Sequence, residues 1–178
     1  TQDEVSIYCD IPEKTYQNYE LKLNAGLSHI SFHTDLWLFN ELINDLILRL
    51  AEEHLYAPYW SQQILDELRR DLQLRIGEER SAQRINAMTA AFPKALVTGY
   101  ESLIKNMTCD EKDRHVLAAA DYLPAQTLVT FNTKDFPETS TQPLRIEVKR
   151  PDDFFLDVLD LDPGRVARVC HTALLSYK

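Results

Sequence analysis

The sequence predicts an α/β fold of three layers, α/β/α, in which a mostly parallel sheet of four to five strands is flanked by helices, and three observations support this. Strand-like and helix-like segments alternate along the chain. Short apolar runs such as Thr127-Leu-Val-Thr-Phe131 have the length of buried strands. Neighbouring stretches carry apolar residues at helical spacing, as a sheet covered on both faces requires. Such sheets place their ligand sites at the carboxyl ends of their strands.

From Leu27 the run His29-Ile-Ser-Phe-His-Thr-Asp35 alternates, with Ile30, Phe32 and Thr34 on one face, and predicts a strand ending near Thr34. Ile43, Leu46, Ile47, Leu50 and Ala51 then recur at helical spacing behind Asn40, a good N-cap type, which completes a βα unit. Ser61 reads as the cap of a second helix, with Trp60 and Leu65 placed as a hydrophobic staple and Ile64, Leu65, Leu68 and Leu72 as its buried stripe. Helical sequence continues to about Ala91. Pro93 then predicts another helix carrying Ala95, Leu96, Leu103 and Ile104, so this middle stretch reads as helix and loop throughout.

Asp110 is placed to cap a helix whose inner face holds Val116, Leu117 and Ala120. The buried strand from Thr127 follows Pro124, and a second short strand is expected from Leu144 to Val148. Two helices close the chain, opened by Pro151 and by Asp162-Pro163. Residues 1–27 stand apart as an N-terminal extension of unknown role, and residues 28–178 form one domain that includes the C-terminal helices.

Composition narrows the function. With 178 residues, 44% hydrophobic and 26% charged, the chain matches a globular domain able to bury roughly 70% of its unfolded surface. Nineteen Lys and Arg against 28 Asp and Glu give a net charge of -9, which argues against tight, nonspecific nucleic-acid binding. Arg69, Arg70, Arg75, Arg80 and Arg84 nonetheless gather positive charge in one segment. Cys9, Cys109 and Cys170 fit neither a disulfide framework nor a zinc spacing. The absence of an apolar run of spanning length, or of a signal peptide, makes the expectation cytoplasmic with no membrane partner. Four glycines and no phosphate loop argue against nucleotide-cofactor enzymes.

The acids are the candidate chemistry. Asp110 and Asp113 fall at the first turn of one helix, where the macrodipole favours anions, and the same spacing fits a capping box. Asp113 extends the stripe of Val116, Leu117 and Ala120, so it is expected to point inward. Glu67 flanks an apolar stripe and is better placed than Asp66 to reach a cleft, although a surface acid has the same pattern. Asp135 follows a buried strand, where either a site residue or a turn acid is expected. His115 reads first as a packing or hydrogen-bonding residue, with general acid or phosphate contact as the alternative.

Together, Trp60-Ser-Gln-Gln-Ile-Leu-Asp-Glu67-Leu-Arg-Arg70, Asp110-Glu-Lys-Asp113-Arg-His-Val-Leu-Ala-Ala-Ala120 and Leu128-Val-Thr-Phe-Asn-Thr-Lys-Asp135-Phe-Pro137 resemble PIN domains in order and separation, from about Leu27 to Asp160. The resemblance implies a PIN-like fold and Mg2+- or Mn2+-dependent hydrolysis of RNA by an endoribonuclease, the toxin of a bacterial toxin–antitoxin pair whose antitoxin covers the cleft. It makes Glu67, Asp110, Asp113 and Asp135 the catalytic, metal-binding acids, with Thr130 and Asn132 in support. At the end of the first strand, where the family has an Asp, this chain has Thr34 with Asp35 beside it. Bringing Asp35 to the metal instead requires a bend or bulge, because a slip of one residue exchanges the faces of a strand. Arg69, Arg70, Arg114 and Lys134 are the cations expected to meet RNA phosphates. Two other readings stay open: a PIN module without catalysis that binds RNA or protein, and a phosphohydrolase with Asp35 as nucleophile. The sequence leaves room for a homo-oligomer.

Overall fold

The computed structural model describes residues 29–34, 41–123 and 125–176. The expected extension over residues 1–27, the Asn40 cap and Asp35 lie outside the described residues. Five strands pair in parallel in the order β3-β2-β1-β4-β5, where β1 is His29–Phe32, β2 Ala57–Ser61, β3 Leu96–Val97, β4 Thr127–Val129 and β5 Glu147–Lys149. Parallel neighbours need crossovers. Helix α1 (Glu41–Glu52) lies between β1 and β2, while α2 (Gln62–Ile76) and α3 (Glu78–Ala91) lie between β2 and β3. Helix α4 (Arg114–Tyr122) precedes β4, α5 (Glu138–Thr141) precedes β5, and α6 (Pro151–Leu161) and α7 (Pro163–Ser176) follow it.

The chain winds outward from β1 to β3 and then returns to the other side of β1, so the switch point of the sheet lies between β1 and β4. Both strands are buried, through Ile30, Phe32, Leu128 and Val129. Against them lies α4, whose Ala118, Ala119 and Ala120 leave room for close approach to β1, β2 and β4. Phe154 of α6 packs edge-on against Phe32 and Tyr56, with ring centroids 5.8 and 5.0 Å away. Each such pair contributes about 0.5–1.5 kcal/mol beyond its buried area.

The middle of the chain departs from the sequence-based expectation. It holds β2 and β3, where only helix and loop were expected. Pro58 lies in β2, an interior strand, where a residue without an N–H normally breaks a ladder. The Trp60 N–H bonds Ala95 O on the β3 side, so by the period of two Pro58 also faces that side, before the β3 ladder begins at Trp60–Leu96. No ladder bond is lost there. The helix expected from Pro93 is replaced by a turn, β3, and a 3-10 segment Glu101–Asn106, with Gly99 at φ 88 between them. Gly77, at φ 83, divides the expected long helix into α2 and α3.

The strand ends also move. β1 stops at Phe32, and Thr34 is already helical, so strand alternation does not govern Thr34. β4 stops at Val129, and β5 starts three residues later than expected from Leu144. The two C-terminal helices begin at Pro151 and Pro163 as the sequence predicts. Among the described residues, no helix is long and apolar enough to cross a membrane. Cys109 and Cys170 are free thiols.

Candidate active site at the switch point

On the α2 side the site begins with Ser61, which closes β2 and caps α2. Its extended backbone (φ -95°, ψ 166°) lets Oγ accept from Ile64 N at 3.3 Å, which fixes the start of the helix. With Ile64, Leu65 and Leu68 buried, Glu67 falls at the flank of the stripe, whereas Asp66 is exposed and accepts from Gln62 Nε2. Both Glu67 oxygens are engaged. Thr34 Oγ1 donates to Oε2 at 2.8 Å, and His115 Nε2 lies 3.1 Å from Oε1. The His115 contact is close enough for an ion pair but off line for a hydrogen bond, and the buried Nδ1 has no partner among the described residues. Burial pushes the Glu67 carboxyl up, but the contacts with His115 and Thr34 and the charges of His115 and His33 outweigh it, so its pKa lies below the usual value.

The β4 side is built differently. Asp110 accepts from Lys112 N at 3.2 Å and caps a 3-10 turn, Glu111–Asp113, placed before α4. Its own side chain is exposed. That turn delivers Asp113 to the N-cap position of α4, inward as expected and 5% exposed. His33 Nε2 donates to Asp113 Oδ1 at 3.1 Å, and the His33 ring stacks edge-on with Phe136. Among the described residues, the buried Asp113 Oδ2 has no hydrogen-bond partner; Lys112 Nζ stands 3.8 Å away.

Asp135 sits in the 3-10 turn Thr133–Asp135 after β4 and accepts from Lys112 Nζ at 2.8 Å and from Asn132 Nδ2 at 2.5 Å. Its backbone oxygen accepts from Asp110 N at 3.3 Å, which ties the two acidic loops together. Thr130, buried at the end of β4, accepts from Asn132 N at 3.0 Å and shapes this turn. The Lys112 hydrogen bond holds the Asp135 carboxyl below its usual pKa against burial, and the adjacent Asp113 contributes in the same direction. Conversely, the Asp135 hydrogen bond and the Asp113 charge raise Lys112.

Glu67, Asp113 and Asp135 are thus linked through neighbouring residues: His33 touches Asp113, its neighbour Thr34 touches Glu67, and Lys112 bridges Asp113 and Asp135. Asp110 stays at the rim on its own turn. Arg69, Arg70 and Lys134 are exposed, and Arg114 is half-buried with Nε donating to Cys109 O. Neither Lys112 nor His33 stands out in the sequence as a site residue. Lys112 lies on the turn between two candidate acids and His33 directly precedes Thr34, which is the only signal either residue carried.

The donor set is carboxylate and hydroxyl oxygen, the type suited to a hard divalent ion. An orphaned buried carboxylate oxygen fits that ion as well, because such a group is costly without a partner. Among the described residues, no three His, Cys, Asp or Glu side chains converge as a metal-ligand group.

The chain is 44% identical over 90 residues to "Putative ribonuclease VapC50" of Mycobacterium tuberculosis, a match covering 49% of this chain and 51% of that protein. The chain therefore spans about half the length of the curated relative it matches. No family model and no solved structure matches the chain. The sequence shared over half the chain and the all-parallel sheet flanked by helices agree with the resemblance to PIN domains.

Proposed function

We propose that this chain is a Mg2+- or Mn2+-dependent endoribonuclease, the toxin of a toxin–antitoxin pair, acting in the cytoplasm on RNA bound across the crevice between β1 and β4. The observation that carries the proposal is Asp113, a buried carboxylate with one oxygen fixed by His33 and the other, among the described residues, left without a hydrogen-bond donor beside Asp135. The relative's name, "Putative ribonuclease VapC50", supports the same activity. Asp113, Asp135 and Glu67 would hold the ion, since Mg2+ is commonly satisfied by one or two carboxylates and water. When bound, the ion supplies positive charge to the phosphoryl oxygens of the scissile bond. His33 orients Asp113, while Thr34 and His115 orient Glu67. Asp110 belongs to this acidic rim, and Asp35 is a further candidate ligand beside Thr34.

Arg69, Arg70, Arg114 and Lys134 would meet RNA phosphates. With a net charge of -9, RNA binding depends on these local cations and on the metal, so it should weaken steeply with salt. An antitoxin covering the crevice is the expected partner, and a second copy of the chain is compatible with the proposal. The test is incubation of the pure protein with structured RNA and Mn2+. Cleavage abolished by EDTA and by Asp113→Asn is the expected result; cleavage indifferent to both overturns it.

One observation favours a second reading, a PIN module without catalysis. Thr34 stands where the resemblance expects an acid and commits its hydroxyl to Glu67. Calorimetry separates the two readings: the module predicts millimolar or weaker metal binding and no cleavage of any RNA.

A further inference from the structure

We infer that Lys112 is the built-in counter-cation of the carboxylate site and sets its affinity for divalent metal. This deepens the proposed nuclease and rests on it. Lys112 Nζ lies 2.8 Å from Asp135 Oδ2 and 3.8 Å from Asp113 Oδ2, so one ammonium stands between two carboxylates of the site. The buried Asp113 Oδ2 accepts no hydrogen bond, and Lys112 is the cation that faces it. An ammonium so placed relieves the repulsion between converging carboxylates when no metal is bound.

The two Lys112 contacts differ in strength. The one to Asp135 has hydrogen-bond length and the one to Asp113 does not, so Lys112 neutralises Asp113 without satisfying it. A divalent ion does better at that oxygen, because it brings twice the charge and coordinates directly. The Lys112 side chain is 65% exposed, and exposed ion pairs are weak, so the lysine can leave as the metal arrives. Swung outward on its flexible stem, it remains at the rim of the crevice as a charge that can meet an RNA phosphate. His33 and Asn132 hold Asp113 and Asp135 from other directions, so the carboxylates keep their places when the lysine moves.

The experiment compares wild type, Lys112→Met and Lys112→Arg as full chains, with Mn2+ titrated calorimetrically in the absence of RNA. Lys112→Met removes the competing charge and keeps the aliphatic stem; Lys112→Arg keeps the charge. The expected result is Mn2+ binding about tenfold tighter in Lys112→Met and within about twofold of wild type in Lys112→Arg. Equal affinity in all three chains overturns the inference and leaves the nuclease standing, with Lys112 a plain surface charge. Weaker binding in Lys112→Met overturns it too, by making the lysine a support of the metal site. No Mn2+ binding in any chain overturns both the inference and the metal-dependent nuclease.

Discussion

The two halves of the candidate site hold their acids in opposite ways. On the α2 side Glu67 is clamped, with one oxygen taken by Thr34 and the other set against buried His115. On the β4 side, among the described residues, Asp113 has one oxygen fixed and one orphaned, with an exposed lysine beside it. A clamped carboxylate has less to gain from a new partner. An orphaned one carries a desolvation penalty of about 1–3 kcal/mol or more until something binds it. The contrast identifies the β4 half as the place where an incoming cation has most to offer.

The largest expected effect follows directly. Asp113→Asn should lower RNA cleavage by about 1000-fold, close to 4 kcal/mol of transition-state stabilisation, whereas Glu67→Gln should cost about tenfold. If single-turnover rates reverse that order, the clamped half is the catalytic one. Next in size is Thr34→Asp, which sets a second carboxylate against Glu67. At about 4 Å this costs between roughly 1 and 4 kcal/mol for effective dielectrics from 80 down to 20. Thermal unfolding should therefore show the variant less stable than wild type in EDTA, with the deficit reduced or reversed in Mn2+. A deficit identical with and without Mn2+ would mean that the α2 half does not meet the ion at all.

The third test uses pH. The folded-state pKa of Glu67 is lowered from 4.5, so its contribution to stability is fully present above that value and is lost as pH falls through the folded-state pKa. Thr34→Val deletes one of the lowering contacts, so the variant should be less stable than wild type at neutral pH, with the difference shrinking as pH falls through the folded-state pKa. Coincident acid-unfolding curves for the two proteins would remove Thr34 from the clamp.

The same asymmetry marks what the sequence could convey. Asp113 was legible as an inward acid because it continues the stripe of Val116, Leu117 and Ala120, and a helical stripe is a local pattern. The parallel, helix-covered sheet was legible for the same reason. The clamp on Glu67 was not, because Thr34 and His115 reach it from 33 and 48 positions away, and only the pairing of β1 with β2 and the seating of α4 bring them together. Strand β2 was hidden by Pro58, which demotes a strand in any local reading, and by Ser61, whose role as a helix cap masked its role as the last strand residue. Both residues make sense only once the short reach of β3 is known.

Ser61 gives the smallest effect and the sharpest control. Its hydroxyl is the one side-chain cap of α2, it is fully buried, and it sets the helical phase on which Glu67 rides. Ser61→Ala should cost about 1 kcal/mol, a fall in Tm of roughly 2–4 °C for a chain of this size, equal in EDTA and Mn2+ because the cap touches none of the candidate carboxylates. Cleavage at 25 °C should stay within about twofold of wild type, since the packed stripe of Ile64, Leu65 and Leu68 keeps the helix in register. A variant that melts only slightly lower but loses cleavage as deeply as Glu67→Gln would show that the phase of α2, more than the charge of Glu67, is what the clamp protects. The division between a rigid half and an exchanging half would then become a division between geometry and electrostatics.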